Sequence, residues 1–406
     1  MRTVFGRAAA VLCAAAFLVT VSGCATLRHP VPQDLVDKAQ VDGMADVRML
    51  IGVPNPVLQK SMIESLKDEN GSDYPVDDKG VRWYPILAIS GGAANGAYGA
   101  GLLKGWSAEG TRPKFKAVTG VSTGAIIAPL VFLGKDYDGT IEELYTTLST
   151  RDVMNLKGPI RALTGNSLAS NAPLARQIDK YLTPDIIEKV AKEHRAGRRL
   201  FVGTTQLDAQ RLSAWDMGAI ACKGDVKLFK QVILASAAIP VMFPPSLIHV
   251  KANGTAYDEM HVDGGTVAQV FTFYHLLKGA DNMAREMGVD PSKLRANYYI
   301  IRNGYVTAGY DAVKDDLASV AGRSFDTIIN AQGIGDTYRI YTYMKKLGNG
   351  YNLAFIPGDF RPKPKQMFDP VEMKELFDRG YQDAVNGYKW HKTPPGLEDN
   401  QSEICD

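Results

Sequence analysis

Hydrophobic positions change period along the chain, so that runs suited to buried strands alternate with runs suited to helices. Tyr84-Pro85-Ile86-Leu87-Ala88-Ile89-Ser90 is apolar on both faces, the mark of a strand covered from both sides. After a glycine-rich break, Gly91-Gly92-Ala93-Ala94-Asn95-Gly96, a helix-like run extends from Ala97 to Trp106. A second short strand, Phe115 to Thr119, meets Gly120-Val121-Ser122-Thr123-Gly124 and then an apolar helix, Ala125 to Leu133. Two strand–tight turn–helix units therefore stand back to back. Downstream, the spacing predicts helices over 139–149, 173–194 and 227–238, the last stopped by Pro240. Arg199 to Thr205 and Leu212 to Met217 read as strands joined by a polar turn. Leu247 to Lys251 and Ala256 to Asp263 read as a hairpin turning at Asn253-Gly254. Asn297 to Ile301 and Tyr351 to Ile356 are two further strands. Ser324 to Lys346 is a long helix with Ile328, Ile329, Ile334, Tyr338, Ile340 and Tyr341 on a broad apolar face, and Gly333 and Gly335 as candidate kink points. Pro370 to Trp390 is a last amphipathic helix. Such alternation implies an α/β sheet with helices on both sides and antiparallel hairpins attached.

Two regions fall outside the pattern. The first 23 residues combine Arg2 and Arg7 with an apolar run, Ala8 to Val21, of signal-peptide length and short for a bilayer span. Val21-Ser22-Gly23-Cys24 resembles the lipobox of bacterial lipoproteins, which implies lipidation at Cys24 and a membrane partner reached through an N-terminal lipid anchor. An ordinary secretory signal is the alternative. Ala25 after the cysteine points to outer-membrane sorting in the bacterial cell envelope. Residues 24–82 read as a tether and N-terminal extension, broken by Pro30, Pro32, Pro54 and Pro56, with a short helix in reach between Leu35 and Leu50. Arg151 to Ala172 is irregular: a plain connection, or a cover over a substrate site.

Charge adds little. Lys and Arg total 46 against 44 Asp and Glu; removing Arg2 and Arg7 leaves 44 against 44. A neutral chain without a basic run offers no nucleic-acid surface. Cys222 and Cys405 show no framework spacing and read as free thiols. Clusters of His, Cys and acids at ligand spacing are absent, so neither metal nor cofactor is expected. The oligomeric state is left open.

The chemistry lies in the two turns. Gly-x-Ser-x-Gly between a strand and a helix is a nucleophile elbow, because only glycines two residues either side of Ser122 let the chain turn so sharply. The glycine loop before the other helix offers N–H groups to an anion. It does not fit a dinucleotide fingerprint, since Ala93 holds the third position and no acid follows about 20 residues on. Nor is it a phosphate-binding P-loop, because Ala97-Tyr98 stand where Lys and Ser or Thr are needed.

Ser90-Gly91-Gly92-Ala93-Ala94-Asn95-Gly96-Ala97-Tyr98, Gly120-Val121-Ser122-Thr123-Gly124, Ala235 to Pro245 and Asp263-Gly264-Gly265, in that order, resemble the patatin-like phospholipases. The resemblance spans residues 83–303, leaving 304–406 as C-terminal elements completing the domain. It implies a three-layer α/β/α fold and a lipid acyl hydrolase acting on lipid or phospholipid esters. Ser122 would be the nucleophile and Asp263 its base. Gly91, Gly92 and Ala93, with the Thr123 N–H, would form the oxyanion hole. The family usually carries a third glycine and a basic residue where Ala93 and Asn95 stand, so Asn95 supplies at most a neutral hydrogen bond. Strand alternation puts His261 on the face of Asp263, where it could support the carboxylate. Two rivals stay open: a Ser-His-Asp esterase of α/β-hydrolase type using His275 or His391, and a catalytically decayed, lipid-anchored envelope scaffold.

Overall fold

The computed structural model describes residues 28–45, 47–272 and 279–397; the signal segment, Cys24, His275 and Cys405 lie outside them. In chain order the elements are β1 (Arg48–Leu50), α1 (Pro56–Glu64), β2 (Arg82–Ile89), α2 (Gly96–Glu109), β3 (Ala117–Val121), α3 (Thr123–Leu133) and α4 (Asp138–Thr146). Next come α5 (Thr150–Val153), β4 (Asn155–Leu156), α6 (Pro159–Thr164), β5 (Ala169–Ser170), α7 (Ala172–Tyr181) and α8 (Pro184–Arg195). The chain continues through β6 (Arg199–Gln206), β7 (Arg211–Asp216), α9 (Met217–Cys222), α10 (Val226–Ser236), β8 (Ser246–Ala252) and β9 (Thr255–Asp263). It ends with α11 (Asp281–Glu286), β10 (Leu294–Tyr305), α12 (Leu317–Leu347), β11 (Gly350–Ile356) and α13 (Pro370–Val385).

Five strands, ordered β6-β3-β2-β10-β11, run parallel at the centre of a 9-stranded sheet. β7 and β1 extend it antiparallel beyond β6, and the β8–β9 hairpin joins through β9. Parallel strands need helical crossovers, and these cover both faces. Leu87 and Ile89 of β2 point into one core with α2, α3 and α13. Ile86 and Ala88 point into the other, against Leu58 and Met62 of α1 and Ile340 and Met344 of α12. This is the three-layer α/β/α arrangement. Along α2, Gly101 and Gly105 let α13 approach so closely that a Cβ at Gly101 would stand 1.9 Å from the Phe377 carbonyl oxygen.

Several expectations need correcting. The segment read as a tether is part of the fold from Arg28 on. Its 35–50 stretch is no α-helix but a 3-10 turn, Gln33–Lys38, followed by β1. Arg48 there reaches Glu259 through both guanidinium nitrogens, at 2.6 and 2.8 Å, within the buried interior. The 173–194 helix is two, divided at Thr183, whose hydroxyl caps α8 just before Pro184 fixes its first turn. The 31-residue α12 continues through Gly333 and Gly335, and buries Gly333, Asp336, Thr337, Ile340 and Met344 rather than a broad apolar face. Ile328 is 66% exposed. Glycine at 333 serves contact instead: the Arg302 guanidinium occupies the space a Cβ would take.

Candidate active site

One strand edge brings the two principal candidates together. β3 pairs with β6 as far as Val121 opposite Gly203. Where β3 ends, β9 takes over the same register, with Asp263 opposite Thr204. Ser122, the next residue of the β3 chain, therefore turns away just where Asp263 arrives. The Asp263 carboxylate accepts a hydrogen bond from the Ser122 side chain and another from the Gly265 N–H at 2.7 Å. Burial pushes the Asp263 carboxyl up to about 6, a pull that those two bonds only partly offset.

The elbow is as tight as its sequence requires. A Cβ at Gly120 would lie 2.6 Å from the Gly124 carbonyl oxygen, and one at Gly124 2.4 Å from that of Ile89. Ser122 itself adopts φ 53° and ψ −121°, a left-handed conformation that an L residue holds only under constraint. Ser236 supplies part of that constraint. Its hydroxyl accepts the Ser122 N–H at 2.9 Å and donates to the Gly203 carbonyl at 2.6 Å, pinning the turn to β6.

The glycine loop divides its N–H groups between structure and site. The Gly91 N–H donates to the Gln269 carbonyl at 3.0 Å, so Gly91 is not available as an oxyanion donor. Among the described residues, no acceptor meets the N–H of Gly92, Ala93 or Thr123. Ala93 takes φ 47° despite its Cβ, so alanine does not prevent the loop from turning. Gly92 has no room for a side chain, since a Cβ would stand 2.1 Å from the Asn303 carbonyl oxygen. The Asn95 N–H closes the turn onto the Gly92 carbonyl.

His261 does not support Asp263. It lies on the same strand face as Asp263, but its ring turns the other way along the strand, toward Glu259. The His261 ring instead bonds Thr204 Oγ1 at 2.9 Å and Glu259 at 3.1 Å, and meets Trp215 edge-on. It is fully buried, and that burial lowers its basicity. His391 pairs through its backbone with Leu353 and stacks on Phe355, in contact with β11 rather than with the elbow.

Behind the loop and the Ser122–Asp263 pair runs a polar relay with no mark in the sequence. Asp336 of α12 accepts the Gln269 N–H at 2.7 Å. The Gln269 carbonyl takes the Gly91 N–H, and its side-chain amide donates to the Gly265 carbonyl at 2.9 Å. A single buried carboxylate thus braces both the glycine loop and the turn that carries Asp263. Burial raises the Asp336 carboxyl to about 6, with Arg339 and Arg302 opposing. Ser236 was at least within a recognised block. Gln269, Asn303 and Asp336 are single polar residues with no motif around them.

Ser122, Thr123 and Ala93 share the wall of an open cleft. Its other walls are almost wholly apolar, with Ile126, Leu148, Leu174, Phe243 and Met373 among them, and no histidine. Among the described residues no group of three or more His, Cys, Asp or Glu could hold a metal ion.

Comparison with known proteins bears on this arrangement. A stretch of 87 residues is 39% identical to the cUMP-AMP-activated phospholipase of Escherichia coli, spanning 21% of this chain and 27% of that relative. The crystal structure of VipD from Legionella pneumophila aligns with 77% of this chain and 69% of its own, at 14% identity and a TM-score of 0.37. The family profile described as patatin-like phospholipase matches residues 87–274, which take in the glycine loop, the elbow and Asp263-Gly264-Gly265. The chain therefore carries a domain of the patatin-like phospholipase family.

Proposed function

We propose that this protein is a serine lipid acyl hydrolase that cleaves carboxylic esters of phospholipids or related lipids. The observation that carries the reading is the hydrogen-bonded Ser122–Asp263 pair opening into an apolar cleft. Ionised Asp263 takes the Ser122 proton as Oγ attacks the ester carbonyl carbon. The oxyanion forms against the N–H groups of Gly92, Ala93 and Thr123. Asp263 then gives its proton to the departing alkoxide, leaving the acyl group on Ser122. A water, deprotonated by Asp263, attacks that acyl carbon and releases the fatty acid. A carboxyl at about 6 is a far better base near neutrality than one at its ordinary value of 3.8. The phospholipase named among its relatives supports a lipid substrate, and the apolar cleft suits an acyl chain. The lipobox-like segment supports an acyl anchor at Cys24 and an envelope location, part of the same proposal.

Purified full-length protein, incubated with a panel of phospholipids and neutral esters, should release fatty acid and label with a fluorophosphonate probe. Ser122→Ala should abolish both and leave the circular dichroism spectrum unchanged. An alanine variant that still turned over ester at more than a few per cent of the parent rate would rule out Ser122 as nucleophile. A parent that neither labels nor hydrolyses any of the panel would favour a scaffold.

A further inference from the structure

The segment between α5 and α7 does more than connect them. β4 and β5 pair as a small antiparallel ribbon, Asn155 opposite Ser170 and Leu156 opposite Ala169, with α6 at its tip. Its base belongs to the cleft, since Val153 and Leu174 line it. The ribbon is also fastened across the cleft mouth. The N–H groups of Leu168 and Ala169 donate to the carbonyls of Val241 and Met242, both at 2.8 Å. Val241 lies between Ile239 and Phe243, which line the cleft. The loop 237–245 and the ribbon thus form one rim.

That rim turns apolar side chains to solvent. Leu156 is 73% exposed, Ile160 78% and Val241 69%, and Leu168 joins them. Leu156 and Ile160 flank Gly158-Pro159 at the tip, so the most exposed of them project together. Val241 is held at φ 71°, which a β-branched residue adopts only when its surroundings impose it. Exposed apolar groups set at one rim, beside a cleft, mark an interaction surface rather than scatter.

From Val153 to Ile178 the chain has Lys157, Arg161 and Arg176 and no Asp or Glu, and from Ala237 to Ile248 it has no charge at all. Within these two segments the charge is one-signed, with Asp152 and Asp179 just beyond the ends of the first. Arg161 is exposed beside Ile160, and Lys157 is half-buried with its ammonium on Ser167 at 2.7 Å. Apolar tips with cations at their base match a bilayer surface bearing anionic headgroups: the tips enter the acyl boundary while the cations stay at headgroup level. We propose that the 155–170 ribbon and Val241 dock the protein on anionic phospholipid and set the cleft mouth against the bilayer. This rests on the lipid acyl hydrolase reading above, and names the surface from which that site would draw its substrate.

Insertion can be read independently of catalysis and of any N-terminal anchor. Full-length protein carrying Ser122→Ala is mixed with vesicles of phosphatidylcholine and brominated phosphatidylglycerol, and tryptophan quenching is compared with and without Ile160→Trp. The expected result is extra quenching from the introduced indole, weaker when phosphatidylglycerol is replaced by brominated phosphatidylcholine. Adding Arg161→Glu should raise the lipid concentration needed for this site-specific signal about 25-fold, since one cation near an anionic surface is worth about fivefold and reversal removes one and adds a repulsion of similar size. An introduced indole that stays unquenched while the protein is vesicle-bound would overturn the proposal, as would quenching indifferent to lipid charge. Quenching as expected in a protein whose Ser122 parent hydrolyses no lipid would leave the docking surface standing and remove the hydrolase.

Discussion

At the scale of single residues, Asp263 carries two opposed demands. The burial that, in the proposed mechanism, suits it to act as a base also makes its ionised form costly to the fold. Its folded value of about 6 stands above the ordinary 3.8. The stability linked to this group is therefore full below 3.8 and is lost as pH rises through about 6. Above that, the ionised carboxylate disfavours the folded state by about 3 kcal/mol at most. Asp263→Asn should accordingly raise the urea midpoint at pH 8 while removing nearly all turnover, because an amide accepts no serine proton. In the parent, turnover should climb about tenfold per pH unit below 6 and level off above it, as the carboxylate becomes available. A profile flat between pH 4.5 and 7, or an asparagine variant that remains active, would exclude Asp263 as the base. The residues legible in the sequence were those whose neighbours are constrained too: Ser122 by its glycines, Asp263 by the two that follow it. His261 misled because a two-residue period gives the face and not the distance. The Gly91 N–H and the Asp336–Gln269 relay were invisible because a hydrogen-bond partner more than 60 residues away leaves no local pattern.

At the scale of elements, periodicity served best where an element is buried on every side. β2, α2 and α3 fall within a few residues of their expected bounds, since two cores press on the sheet and fix each boundary. It served worst where burial is partial. α12 shows an apolar stripe, yet only its second half is covered by the sheet, and no sequence pattern says where a neighbour stops. The α2–α13 pair gives a test in which two known effects oppose. Replacing a helical glycine by alanine ordinarily stabilises by about 1 kcal/mol through propensity. At Gly101 the new methyl would have to displace the Phe377 carbonyl, 1.9 Å from its ideal position, and overpacking of that kind costs about 1–3 kcal/mol or more. Gly101→Ala should therefore lower the urea midpoint, whereas Gly139→Ala, near the start of α4 with open space around it, should not. Equal midpoints for the two variants would show that α13 can shift without loss.

At the scale of the whole molecule, the four sequence blocks pointed to the patatin-like region that the family profile matches, but the chain before it was misjudged. Read as a tether, the chain from Arg28 in fact lays β1 along β7 and sends Arg48 to Glu259 on β9, contacts that only the folded sheet reveals. If the envelope reading holds, the free length between anchor and domain is short, and the cleft cannot stray far from the membrane. Metabolic palmitate labelling should mark the parent and not Cys24→Ser; label retained by the serine variant would exclude Cys24 as the lipidated residue. The shared edge of β6 has a further consequence, for the order in which competence appears. Ser122 and Asp263 lie 141 positions apart, and they meet only because one strand serves as a common ruler for β3 and β9. Closing so long a loop is slow and entropically costly, so a hairpin docked at its far end belongs among the later events of folding. A chain with every parallel strand in place but β9 undocked would be compact, strongly structured and inert. On the proposed function, recovery of turnover during refolding would then lag recovery of helical signal, and so report when β9 docks.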